Sequence, residues 1–186
     1  MFDLLGQLWL IPTAGAAARP ITNAVRDTAN DLDPSFSPDG RRVVFRGERH
    51  GRTGLWLLQL GSTVARQLTQ LPDPVGFDGN AAWSPDGRVI AFTRVVPDRA
   101  PRRWRSDVQL LDVDAGTLRV LRITGLPNPE IRDPVWVRGG QAIAFVARNA
   151  QRSDGGRVWM VAAAGGQANP VTSDSIVALA PAFSAD

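Results

Sequence analysis

The sequence predicts an all-β fold, a β-propeller of four-stranded antiparallel blades, and three observations carry that prediction. The first is a recurring phrase: "DPSFSPDGRRVVF" from Asp33, "NAAWSPDGRVIAF" from Asn80, "DPVWVRGGQAIAF" from Asp133 and "APAFSAD" from Ala180. The second is its spacing. Phe36, Trp83, Trp136 and Phe183 stand 47, 53 and 47 residues apart, and Phe45, Phe92 and Phe145 each follow nine residues after the first three. The third is that the spacing varies mainly in one place, with Trp159 to Phe183, at 24 residues, the one other departure. Trp9 to Phe36, Trp56 to Trp83 and Gln109 to Trp136 are each 27 residues, whereas Phe45 to Trp56 is 11, Phe92 to Gln109 is 17 and Phe145 to Trp159 is 14. Four-stranded units with one elastic loop, repeated about every 40–50 residues, are propeller blades.

Each unit reads as four strands in turn. The first carries Phe36, Trp83 or Trp136, and the second carries Phe45, Phe92 or Phe145. The third is "QLWLIPT" at 7–13, "GLWLLQL" at 54–60, "DVQLLDV" at 107–113 and "RVWMVAA" at 157–163. The fourth ends in an apolar residue and Thr: Ile21-Thr22, Leu68-Thr69, Ile123-Thr124 and Val171-Thr172. Short Val-, Ile-, Leu- and aromatic-rich runs between Gly, Pro, Asp and Asn clusters read as strands. "SPDG" at 37–40 and 84–87 supplies a turn, with Pro presetting one φ, Asp bonding its own backbone and Gly accepting a positive φ. "DAG" at 114–116 and "AGG" at 164–166 make the next hairpins by the same chemistry. In the third unit "VRGG" at 137–140 replaces "SPDG" and predicts another turn type.

The strand count organises residues 1–186 as a single propeller segment with parts at 7–22, 33–69, 80–124, 133–172 and 180–186. That is about three and a half blades. The expectation is an incomplete ring, a piece of a larger propeller, whose exposed blade edges invite self-association.

Composition bounds the function. Of 186 residues, 44% are hydrophobic and 21% charged, the balance of an ordinary soluble globular domain. No apolar run approaches the ~20 residues of a membrane-spanning helix, so membrane insertion is not expected. The opening "MFDLLGQLWLIPTAG" has no basic stretch before its apolar part and does not read as a signal peptide. Without cysteine, disulfides, thiol nucleophiles and thiolate metal sites are excluded. A pI near 11.0 suggests a nucleic-acid binder, but the net charge is only +3. All 21 basic residues are Arg, and Lys, Tyr and Cys are absent. Little can therefore titrate between neutral pH and the guanidinium range of roughly 12 and above, so a small excess inflates the pI. Nucleic acid is not an expected partner.

"FSPDGRRVVF" and "WSPDGRVIAF", followed by "LWLLQLG" and "ARQLT", resemble the TolB-type propeller repeat, over nearly the whole chain. That repeat occurs in TolB, in the propeller domains of prolyl-oligopeptidase-like and tricorn-like peptidases, and beside some amidohydrolase domains. The resemblance implies a non-catalytic protein-binding or scaffolding module. If TolB is the guide, the partner is an envelope protein and the compartment the bacterial periplasm. The alternative it implies is a substrate-gating propeller of a larger serine peptidase or amidohydrolase, with the catalytic domain outside this chain.

Trp9, Trp56, Trp83, Trp136 and Trp159, with Phe36, Phe45, Phe92, Phe145 and Phe183, occupy repeat-equivalent positions and read as core. Trp104 breaks the pattern. It lies in "VVPDRAPRRWRSD" at 95–107, read as the longest of the elastic loops, among Arg99, Arg102, Arg103 and Arg105. Trp and Arg are the residues that anchor interfaces, so this group is the candidate partner-binding patch, set against a solvated loop whose Trp covers a neighbouring strand. Asp33, Asn80 and Asp133 begin successive innermost strands. They read as turn-capping Asx residues or, alternatively, as polar groups lining a central channel. For catalysis there is little: one histidine, His50, two glutamates, Glu48 and Glu130, and no G-x-S-x-G. No catalytic residue, metal or cofactor is expected.

Overall fold

A computed structural model describes residues 1–22, 30–49, 52–71, 75–98, 104–126, 129–149, 156–173 and 181. The fold is all-β, and its recurring element is an antiparallel four-stranded sheet. Contacts divide the chain predicted as one segment into two compact units, Met1–Ala81 and Ala82–Asp186.

In the first unit, β1 (Phe2–Leu4), β2 (Gln7–Leu10) and β3 (Arg19–Pro20) form a three-stranded sheet in that order. β4 (Asn30–Phe36), β5 (Arg42–Arg49), β6 (Arg52–Gln59) and β7 (Ala65–Gln67) form a complete blade, again in chain order. The first sheet thus begins at Phe2, ahead of Gln7. Phe2 pairs with Trp9 as Phe45 pairs with Trp56, so Phe2 is the second-strand aromatic of that sheet. The connection is a tight turn with Leu5 at φ 52° and Gly6 at φ 72°. Buried Leu8, Val43, Phe45 and Leu58 form this unit's core, with Trp56 and Ile21 packed against them.

In the second unit, β9 (Val89–Pro97), β10 (Trp104–Asp112) and β11 (Leu118–Val120) follow β8 (Phe77–Trp83), which spans the division. The next blade is β13 (Pro129–Val137), β14 (Ala142–Asn149), β15 (Arg157–Ala162) and β17 (Asn169–Pro170). β14 shows why its sequence is almost continuously apolar. Ile143, Phe145 and Ala147 join one core with Ala91, Val108 and Leu110, while Ala142 and Ala144 join a second on the opposite face. A strand buried on both faces has no polar side to alternate with. Phe45, Phe92 and Phe145 are fully buried and Trp83 nearly so, whereas Phe36 is exposed, which corrects its core assignment. Phe183 lies outside the described residues.

The fourth strands correct the repeat at one point. Thr22, Thr69 and Thr172 accept hydrogen bonds from the N–H groups of Leu8, Leu55 and Val158. In the β8–β11 blade the residue bonded to the corresponding Val108 is Leu121, so Leu121-Arg122 holds the place expected of Ile123-Thr124. Ile123–Thr124 is instead a separate strand, β12, paired in parallel with β16 (Gly166–Gln167). Gly166 and Ala168 donate to Arg122 and Thr124 carbonyls at 2.9 and 3.0 Å, and Arg119 Nη2 reaches Ala163 O at 3.1 Å.

The two "SPDG" turns are built alike. Ser37 Oγ donates to Asp39 Oδ1 at 2.6 Å and accepts from Arg42 N–H, and Gly40 takes φ 67°. Ser84, Asp86, Val89 and Gly87 repeat the arrangement, with Gly87 at φ 70°. "VRGG" does adopt another turn: Arg138 and Gly139 take φ 53° and 62°, values the proline of "SPDG" could not reach. The serine hydroxyls, then the backbone N–H groups of Arg41 and Arg88, hold the carboxyls of Asp39 and Asp86 below their ordinary range. A depressed carboxyl stabilises the fold above its unfolded value, about 3.9, and that contribution is lost as pH falls through the lower folded value. Replacing both serines (Ser37→Ala with Ser84→Ala) is expected to return both aspartates toward the ordinary range in an NMR titration. Stability should then fall off less steeply below about pH 4 than in the wild type.

Among the described residues no helix is long and apolar enough to cross a membrane.

Candidate functional site: a cleft beneath Trp104

The β9–β10 hairpin continues pairing past the point where the sequence suggests a loop. Trp104 stands opposite Pro97 and Arg105 opposite Val96, so Trp104 is the first residue of a strand. The β-branched Val95 and Val96 favour the extended ladder and shorten the connection to 98–103. Strand alternation then separates the expected patch. Trp104 and Ser106 share a face with Val95, while Arg105 lies on the other face with Asp107, its Nε 3.4 Å from Oδ2. Arg99, Arg102 and Arg103 lie outside the described residues.

Opposite this face stands the β13–β14 hairpin. Buried Ser106 Oγ accepts the Ile131 N–H at 2.6 Å, tying one blade to the next. Glu130 pairs across the strands with Arg148, whose Nε and Nη2 both donate to Oε2. Arg132 pairs only loosely, with its Nε 3.8 Å from Asp133 Oδ2. Between the hairpins lies a cleft of about 260 Å³, lined by Val95, Trp104, Ser106, Glu130, Ile131, Arg132 and Arg148. Trp104 is 49% exposed at its edge. Of these residues the sequence points to Trp104 alone. The pairing of Glu130 with Arg148 depends on the bulge between Arg132 and Val135, which shifts the register by one residue.

The three Asx residues share a backbone feature. Asp33, Asn80 and Asp133 take φ 51°, 52° and 51°, the left-handed region that Asx tolerates better than most side chains. They do not begin their strands. β4, β8 and β13 start at Asn30, Phe77 and Pro129, and a register shift falls at Asp33 and at Asp133. The reason is that these positions need a bulge residue, which the ladder accommodates within the strand. Asp33 Oδ2 is 3.5 Å from Arg46 Nε, and the Arg46 guanidinium stands 5.6 Å from the Phe77 ring centroid. Among the described residues no group of three or more His, Asp or Glu could hold a metal ion. His50 lies outside them.

Repeated four-stranded antiparallel blades and a rim cleft between adjacent hairpins define a β-propeller protein. The chain belongs to the TolB β-propeller domain family, whose profile matches residues 18–184. No curated protein matches it. Its fold is similar to that of a putative TolB from Agrobacterium tumefaciens, with a TM-score of 0.72 and 21% identity over 92% of this chain and 56% of that one. TolB from Acinetobacter baumannii gives a TM-score of 0.67 and 17% identity, over 90% of this chain and 37% of that one. A puromycin-hydrolyzing peptidase from Mycobacterium tuberculosis gives 0.61 and 21%, over 84% of this chain and 27% of that one. The chain thus spans about half the length of the first of these proteins and less of the others.

Proposed function

We propose that the chain is a non-catalytic protein-binding module and that a partner docks at the Trp104 cleft. The observation that carries this reading is a half-exposed tryptophan over an apolar cleft framed by Arg132 and Arg148. Trp and Arg dominate the energetics of protein interfaces. At about 260 Å³ the cleft lies below the ~300–1,000 Å³ of small-molecule sites and suits one or two inserted side chains. If the chain works as TolB-type modules do, the partner is an envelope protein and the compartment the bacterial periplasm. The propeller of a larger hydrolase could use the same cleft to orient substrate. The reading therefore rests on the cleft and not on fold likeness.

The test is affinity capture from the cells that make the protein, comparing wild type with Trp104→Ala, Arg102→Ala and Arg103→Ala combined. The variant is expected to stay folded at a cost of about 1–2 kcal/mol, because only half of Trp104 is buried. Its partner yield is expected to drop about ten-fold, the effect of losing one interface anchor. Undiminished capture defeats the assignment.

A further inference from the structure

The lining of the cleft specifies what should enter it. Val95, Ile131 and the Trp104 ring make an apolar wall, so the occupant brings an apolar group. The polar groups around that wall are mostly donors. Ser106 is 8% exposed; its oxygen accepts the Ile131 N–H, which leaves its own proton for an acceptor in the cleft. Among the described residues Arg132 meets a carboxylate at its sequence neighbour Asp133, at 3.8 Å, and a contact that long leaves guanidinium donors available. Arg148 directs Nε and Nη2 at one oxygen of Glu130, leaving Nη1. The residues lining the cleft carry two guanidinium groups and one carboxylate, with the Asp133 carboxylate standing beside Arg132 outside the lining. The available donors complement a carboxylate.

We propose that the cleft binds an extended segment of the partner in which a carboxylate side chain and a large apolar side chain stand two residues apart. In an extended chain, residues i and i+2 point the same way, so one face presents both groups together. The apolar group packs against Trp104 and Ile131. The carboxylate is held by Arg132 and the Ser106 hydroxyl, at the mouth where Arg148 and Glu130 form their pair. This inference names the ligand class of the binding module proposed above and rests on that reading.

The experiment uses the full chain and three fluorescein-labelled peptides that differ only in their core: Asp-Ser-Phe, Asn-Ser-Phe and Asp-Ser-Ser. By fluorescence anisotropy the first is expected to bind at least about ten-fold more tightly than the second, the loss for one charge-assisted hydrogen bond. The third is expected to weaken by a similar factor, as burial of the ring is lost. Added salt should weaken the first and leave the second nearly unchanged. Arg132→Gln should remove the difference between Asp and Asn cores, and Trp104→Ala the difference between Phe and Ser. Equal affinity for Asp and Asn cores overturns the inference, as does no binding at about 1 mM peptide. The wild-type peptide series answers the question even if a variant misfolds. If partner capture depends on Trp104 while these peptides do not bind, the ligand class is wrong and the binding reading stands. If capture is also indifferent to Trp104, both fall.

Discussion

Phe145→Ala is expected to destabilise the chain by about 3–5 kcal/mol, measured as a shift of the urea midpoint at unchanged slope. Phe145 has no exposed surface and packs in one cluster with Ile131, Ile143, Val161, Val108 and Leu110, which come from both blades of the second unit. Truncation removes the apolar burial of a whole ring and leaves a cavity bounded by ladder-paired strands that have little freedom to close in. For a domain of typical stability, roughly 5–15 kcal/mol, the loss is a large share of the total. Phe145→Leu keeps much of the volume and should cost less than about 1.5 kcal/mol. Equal effects of the two variants would show that the site tolerates collapse and that Phe145 is not a keystone between the blades.

Gly54→Ala is the second large effect, and its mechanism is crowding. A Cβ at Gly54 would lie 2.4 Å from the carbonyl oxygen of Thr69 and 3.3 Å from Thr69 Oγ1. Those atoms cannot swing aside. Thr69 Oγ1 accepts from Leu55 N–H at 2.9 Å, and the N–H groups of Leu68 and Thr69 both donate to Leu55 O, at 2.8 and 3.3 Å. The methyl group must therefore push the chain after β7 off β6, adding overpacking strain to a weakened buried hydrogen bond. A loss of about 2–4 kcal/mol follows. Gly79→Ala is the control: its Cβ would meet nothing nearer than 3.7 Å and should change stability by less than about 1 kcal/mol. Similar midpoints for the two variants would refute the crowding argument.

The parts of the fold legible in the sequence are those set by local chemistry. Phe45, Phe92 and Phe145 announce themselves because "SPDG" and its counterpart hold the first hairpin to one length. The absence of proline and serine from "VRGG" correctly predicts a different turn. What stayed hidden depends on departures of one or two residues. Phe2 is hidden because its ladder with β2 ends two pairs on, at Leu4 and Gln7, so the distance to Trp9 does not match the other blades. Ile123-Thr124 imitates the fourth-strand signature while Leu121-Arg122 occupies its place. The cleft was half visible. An out-of-pattern tryptophan among arginines pointed to Trp104, but periodicity alone could not show that Arg105 faces away from it. Nor could it show that a bulge beside Asp133 brings Glu130 opposite Arg148.

The short parallel pairing of Ile123–Thr124 with Gly166–Gln167 bears on how the second unit comes apart. Outer strands of two or three residues, such as β11 and β17, would ordinarily fray independently. Here the carbonyl groups of Arg122 and Thr124 accept hydrogen bonds from the N–H groups of Gly166 and Ala168, so peeling the outer margin of one blade breaks bonds that belong to the next. Gly165 makes that approach possible, since a Cβ there would lie 2.8 Å from Arg122 O. Opening either margin therefore gives up bonds that the other blade shares, which couples the fraying of the two blades.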